Sequence, residues 1–228
     1  MGNLDHLKKA AAIAALESIQ PNTIIGLGSG TTIKFFIEAL GMLCQRGFVI
    51  KAIASSSKSE ELALQHQIPI VSQDLVNHVD VTVDGADVVD EHFCMIKGGG
   101  GALLREKILA KSSKSTIIII DESKRSSLHL HKVPIEISPF SYLLTIREIQ
   151  KLGFDGQLRN TPKGSLFMTD NHNYIYDISF PNNIDIKTLH STLISIPGVI
   201  ETGLFYEYAT MLLTGLSNGD VDKKCLTS

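Results

Sequence analysis

At 228 residues, 43% apolar and 20% charged, the chain has ordinary globular composition and the length for one large domain, or for a large and a small one. A net charge of −3 offers no broad basic field for nucleic acid or an anionic membrane, so any affinity for phosphate must be local. No uninterrupted apolar run reaches the ~18 residues of a membrane span, and Cys44, Cys94 and Cys225 form no Cys-x-x-Cys pair, which disfavours a disulfide framework and a zinc site.

Met1-Gly2 would suit a myristoylation signal, but His6 stands where Ser or Thr is needed. The alanine-rich run that follows Lys8-Lys9 contains Glu17 and reads as an amphipathic helix over 10–19 rather than a leader peptide, so a cytoplasmic protein is expected. Residues 23–28 read as a strand and 31–43 as a helix. A second strand is predicted at 48–54 with a helix over 57–66, a third strand at 68–71 and a fourth at 79–83. A helix over 102–112 then leads to a strand at 115–120. Ile117 to Ile120 would be apolar on both faces, as in a buried parallel sheet. These elements predict an α/β fold with a largely parallel open sheet and helices on both faces.

After about residue 130 the pattern changes. A strand is predicted at 133–137, a helix over 139–152, and two short strands about a turn at Thr169-Asp-Asn-His-Asn173. A helix over 184–195, stopped by Pro197-Gly198, precedes a strand at 199–205. This βαββαβ order predicts a small α+β, ferredoxin-like domain over 131–205. Residues 1–130 and 206–228 would form the large domain, with the apolar run at 210–214 returning to its sheet.

Polar clusters follow the predicted strands directly. Gly28-Ser-Gly-Thr-Thr32 follows the first, Ser55-Ser-Ser57 the second, Asp84-Gly-Ala-Asp87 the fourth and Asp121-Glu-Ser-Lys124 the isoleucine run. Parallel α/β sheets bind ligands beyond the carboxyl ends of their strands, so these loops should converge. The Gly26–Thr32 segment lacks the Gly-Lys-Ser/Thr of a Walker loop and the last glycine of a dinucleotide fingerprint, and suits the phosphate of a small molecule better than a nucleotide. Lys97 precedes four consecutive glycines, an entropically expensive run that implies close backbone approaches. Glu106 falls in the first turn of the next helix. Asp84 and Asp87 suit proton chemistry. A magnesium site built with Asp90 and Glu91 is an alternative, but it would need more oxygen ligands than this pair guarantees. Cys94 reads as a small buried residue rather than a nucleophile, and His129 and His131 as surface histidines.

With these motifs assembled, the chain resembles the type A family of ribose-5-phosphate isomerases along essentially its whole length. The matching segments are Gly26–Thr32, Ser55–Ser57, Val83–Asp87, Met95–Gly100 with Arg105-Glu-Lys107, and Asp121–Lys124. Thr169-Asp-Asn and the segment 196–205 complete the match. The resemblance implies a cofactor-independent, metal-free interconversion of ribose 5-phosphate and ribulose 5-phosphate in the non-oxidative pentose phosphate pathway. It implies that Glu106 is the general base, that Asp84, Gly85, Ala86, Asp87, Lys97, Gly98, Gly99 and Gly100 bind and polarise the sugar, and that Ser29, Gly30, Thr31, Thr32, Lys124 and Lys8 hold the phosphate. Two departures stand out: Gly101 where the family commonly has alanine, and Val88-Val89 where a polar acid is common. A homo-oligomer, dimer or tetramer, is expected, with no nucleic-acid or membrane partner. The rivals are a coenzyme A transferase with a glutamate nucleophile, a sugar-phosphate-sensing regulator, and an isomerase or deaminase of amino sugars.

Overall fold

The structure, a computed structural model, describes residues 4–182 and 184–226, so the Met1-Gly2 start lies outside the described residues. In chain order the elements are α1 (Asp5–Leu16), β1 (Ile24–Leu27), α2 (Thr31–Gln45), β2 (Lys51–Ala54), α3 (Ser57–Gln65), β3 (Val79–Asp84), β4 (Val88–Val89), β5 (Met95–Ile96) and α4 (Leu103–Lys111). They continue as β6 (Ser113–Asp121), β7 (Lys132–Ile137), α5 (Tyr142–Lys151), β8 (Gly156–Leu158), β9 (Tyr174–Ser179), α6 (Ile186–Ile194), β10 (Val199–Thr202), β11 (Leu204–Phe205), β12 (Met211–Gly215) and β13 (Val221–Cys225). The chain forms two compact units, one of Met1–Ala86, Arg105–Lys124 and Glu207–Ser228, the other of Asp87–Leu104 and Arg125–Tyr206.

The first unit is built on a six-stranded sheet in the order β13-β12-β6-β3-β1-β2, parallel except for β13. Ile117 to Ile120 are all buried, as a strand covered on both faces requires. Ala11, Ala12 and Ala15 of α1 and Phe36, Ile37 and Leu40 of α2 join Ile25, Leu27, Val81, Val83, Ile117 and Ile119 in one core. Each large apolar side chain removed from water there contributes about 1.5–3 kcal/mol. α1 begins at Asp5, earlier than the alanine run alone suggests. The strand predicted at 68–71 is reduced to a single bridge between Ile70 and Ala52. Proline at 69 has no N–H to donate, and its carbonyl accepts from Ala52 N–H at 2.8 Å. β13 was not anticipated: it is the antiparallel edge strand, and its Asp222-Lys-Lys224 sequence has the charge that edge strands tolerate.

The second unit holds a fully antiparallel four-stranded sheet, β10-β7-β9-β8, with α5 and α6 in the connections. Counting its own strands, the order is 4-1-3-2, the split-βαβ arrangement the sequence predicts. Val133, Ile135, Ile137, Ile149, Ile178, Leu189 and Leu193 form its core. Residues 87–104 belong to this unit because β5 pairs with both β4 and β11, and Val88 and Ile96 enter the same core. The strand predicted at 199–205 is divided at Gly203, with β10 pairing to β7 and β11 to β5. A Cβ at Gly203 would lie 2.2 Å from the Lys97 carbonyl oxygen, so only glycine passes there. The turn at 169–173 closes with Thr169 N–H donating to the Asn173 carbonyl at 2.9 Å. Among the described residues the stretch before it makes isolated bridges, Asn160–Leu166 and Met168–Tyr174, rather than a strand, and β9 pairs with β7 and β8.

Candidate active site

In the first unit, β2, β1, β3, β6 and β12 run parallel, so the loops leaving their carboxyl ends share one edge. Asp84 ends β3 and is buried. Its Oδ1 accepts the N–H of Gly85 at 2.7 Å and that of Ser29 at 3.1 Å. The Ser29 hydroxyl donates to Oε1 of Glu106 at 2.5 Å. One serine therefore ties two carboxylates together, Asp84 through its backbone and Glu106 through its side chain. Glu106 lies in the first turn of α4 at 4% exposure, a carboxylate withheld from bulk water. The Ser59 hydroxyl donates to the Gly28 carbonyl at 2.7 Å and fixes the loop from the α3 side.

Gly30 precedes α2 at φ +95°, a left-handed conformation that favours glycine, and no side chain caps the helix. The opening amides of α2, with exposed Thr31 and buried Thr32, are the donors an anion would meet. Lys124 ends the short 3-10 turn that follows β6. Asp121 stiffens this turn, its Oδ1 accepting Ser123 N–H at 3.1 Å and the Ser123 hydroxyl. Lys8 lies on α1 and pairs with Asp5 at 3.7 Å. The preceding Leu7 carbonyl packs against Gly215, where an added Cβ would lie only 2.0 Å from it, so the start of α1 reaches the carboxyl end of β12.

In the second unit, Lys97 follows β5 and is 4% exposed, with Nζ 5.5 Å from the centre of the Phe205 ring. Its N–H donates to the Gly203 carbonyl at 2.9 Å. The glycine run turns sharply, Gly98 at φ +103° and Gly101 at φ +80°, and Gly101 N–H donates back to the Gly98 carbonyl at 2.9 Å. Asp87 stands over the loop and accepts the Gly99 N–H at 2.7 Å. Gly101, one of the two departures from the resemblance, faces Phe167: a Cβ there would lie 2.4 Å from the ring, so a larger residue would have to displace it. Val88-Val89, the other departure, forms buried β4 and packs rather than binds.

Two groups the sequence did not suggest adjoin this loop or its supports. Arg159 Nη1 donates to the carbonyls of Gly98 and Gly99 at 2.7 and 3.0 Å. It is held in turn by Asp177. Glu136 of β7 is fully buried, and its Oε1 accepts from the Thr169 hydroxyl and from the side-chain amides of Asn171 and Asn173. The Thr169-Asp-Asn motif thus encloses a buried carboxylate. Neither group carries a signal in the sequence, since both sets of partners are distant along the chain. Asp90 shapes its own turn by accepting the N–H groups of His92 and Cys94. Among the described residues, no three His, Cys, Asp or Glu side chains gather as a metal site would need. None of the described helices is long and apolar enough to cross a membrane.

The chain is similar to known proteins over nearly its full length. Residues 51–219 match the family model described as ribose 5-phosphate isomerase A (phosphoriboisomerase A). A ribose-5-phosphate isomerase A of Protochlamydia amoebophila is 49% identical over 93% of this chain and 92% of the relative, and one of Chlamydia pneumoniae is 45% identical over 96% of each. A solved ribose 5-phosphate isomerase A from Neisseria gonorrhoeae superposes with a TM-score of 0.90 at 37% identity, covering 100% of both chains. A solved D-ribose-5-phosphate isomerase in complex with phospho-erythronic acid gives a TM-score of 0.92 at 37% identity, covering 99% of this chain and 100% of that one.

Proposed function

This chain belongs to the ribose-5-phosphate isomerase A family, and on that premise we propose that it interconverts D-ribose 5-phosphate and D-ribulose 5-phosphate without a cofactor, through an enediolate. It is an isomerase of pentose phosphates. The observation that carries the mechanistic reading is the bond from Ser29 to buried Glu106, which orients a carboxylate for proton transfer.

In the forward direction the Glu106 carboxylate removes the proton from C2 of the open-chain aldose. The electron pair moves into the C1–C2 bond, and the C1 carbonyl oxygen becomes the enediolate oxygen. Glu106 then returns its proton to C1 while the O2 hydroxyl proton passes to O1, which gives the ketone at C2 and the hydroxyl at C1 and restores the carboxylate. Charge on the developing oxyanion needs fixed donors; the Lys97 ammonium and the Gly100 N–H of the glycine loop supply them. Asp84 or Asp87 assists ring opening of the cyclic sugar by moving a proton between the anomeric hydroxyl and the ring oxygen. Ser29 to Thr32, the amides opening α2, Lys124 and Lys8 hold the phosphate. The related isomerase that binds phospho-erythronic acid favours this reading, because that ligand joins a phosphate to a planar carboxylate resembling the enediolate.

We place the enzyme in the non-oxidative pentose phosphate pathway, as a cytoplasmic homo-oligomer. Its free thiols suit that compartment, and the exposed Phe140, Leu143 and Leu144 offer an apolar face for assembly. Incubating the purified chain with ribose 5-phosphate and a chelator tests the reading. Ketose formation that withstands the chelator is the expected result; no ketose under any condition would overturn it.

A further inference from the structure

Arg159 is placed to control the peptide planes of the glycine loop. A trans peptide points its C=O and N–H in opposite directions, so fixing one fixes the other. The guanidinium holds two successive carbonyls, those of Gly98 and Gly99. The N–H groups of Gly99 and Gly100, in the same two peptides, are therefore directed away from it. The first of these is seen doing so, since it donates to Asp87 at 2.7 Å. Gly100 has open space where a side chain would project. Four glycines in a row would otherwise sample many orientations of these dipoles.

The arginine is itself pre-set. Asp177 accepts from Nε at 2.9 Å and from Nη2 at 2.5 Å, a two-pronged pairing that fixes the plane of the guanidinium. Arg159 and Asp177 side chains are only 17% and 15% exposed, so bulk water screens the pair weakly. Phe167 completes the support: the guanidinium lies 5.7 Å from its ring centre, and the same ring closes on Gly101. Both ends of the glycine run are thus anchored to one cluster within the second unit.

We propose that Arg159, oriented by Asp177, is a positioning residue of the isomerase: it holds the Gly99 amide on Asp87 and directs the Gly100 amide that stabilises the developing oxyanion. The inference rests on the function proposed above. Lysine at 159 keeps the charge but cannot reach two carbonyls and a carboxylate with one planar fork.

Steady-state kinetics of Arg159→Gln, Arg159→Lys and Asp177→Asn in the full chain, together with amide hydrogen exchange of residues 98–101, test it. Arg159→Gln should lower kcat on the order of 10²-fold, the scale of a small misplacement of catalytic groups, with KM changed less than about threefold. Arg159→Lys should recover less than about a tenth of wild-type kcat, and Asp177→Asn should fall between wild type and Arg159→Gln. Exchange in the loop should accelerate in Arg159→Gln while the β7 and β9 amides stay protected. A wild-type kcat in Arg159→Lys, a loss confined to KM, or unchanged exchange in the loop would each overturn the proposal. If Arg159→Gln fails to fold, the Lys and Asn variants decide by the same criteria. Should the wild-type chain show no isomerase activity, the function falls, and loop exchange alone then judges whether Arg159 orders these amides.

Discussion

A single methyl group at position 28 would lie 1.9 Å from Oδ1 of Asp84. The backbone of the Gly26–Thr32 loop and the Asp84 carboxylate are therefore packed as closely as a glycine permits. Gly28→Ala must push Asp84 aside, which breaks its bonds to the Ser29 and Gly85 amides. The expected outcome is a loss of kcat/KM of roughly 10²-fold, at a stability cost of about 1–3 kcal/mol. Kinetics and thermal unfolding of this variant check both.

The Gly101–Phe167 contact predicts a coupled pair. Gly101→Ala should destabilise by about 1–2 kcal/mol, from a side chain at φ +80° and from contact with the ring. In a Phe167→Ala background the steric part vanishes and the strain remains. A double-mutant cycle should return a coupling of at least ~0.5 kcal/mol. A purely additive cycle would mean that the ring does not dictate glycine at this position.

Asp80 gives a pH dependence that lies apart from the chemistry. The hydrogen bond from Lys114, at 2.7 Å, and then the Ile24 N–H at 2.8 Å hold its carboxyl below the ordinary 3.8. A carboxyl lowered by folding stabilises the protein above its unfolded pKa and loses that contribution as pH falls through the lower folded value. Asp80→Asn should therefore reduce the melting midpoint at pH 7 by about 2 °C, the scale of a partly exposed ion pair in a chain of this length. The gap should close below pH 3.8 as the native carboxyl protonates. Melting curves of both proteins from pH 2 to pH 7 would show it.

The large sheet is legible in the sequence because parallel, doubly covered strands announce themselves as apolar runs such as Ile117 to Ile120, followed by polar clusters such as Gly28-Ser-Gly-Thr-Thr32 and Asp121-Glu-Ser-Lys124. The same rule located Asp84, Ser29 and Lys124 at strand ends. Glu106 was placed by chain position, one turn into the helix after the glycines, and its partner Ser29 stands 77 residues away. Other features had no local signature. β4 and β5 are two residues long and gain their identity only by pairing with each other and, through β5, with β11. Gly203 reads as an ordinary strand glycine until the Lys97 carbonyl is found beside it. Arg159 lies in a polar stretch that looks like any loop, and only tertiary structure brings it to Gly98. Glu136 occupies one place in an apolar strand, where the sequence gives no hint of the Thr169, Asn171 and Asn173 donors that make its burial affordable.

The central claim is that Glu106 moves the proton between C1 and C2. The most direct measurement compares wild type with Glu106→Gln in heavy water, following turnover and deuterium incorporation into the pentose phosphate while ligand binding is measured separately. Deuterium is expected at the exchanging carbon in the wild-type reaction, and substrate affinity in the variant within a few-fold of wild type. Turnover of the variant should be lower by at least ~10³-fold, with no deuterium entering the sugar, as when a general base is removed. Turnover by Glu106→Gln at the wild-type rate, with deuterium still entering the sugar, would contradict it.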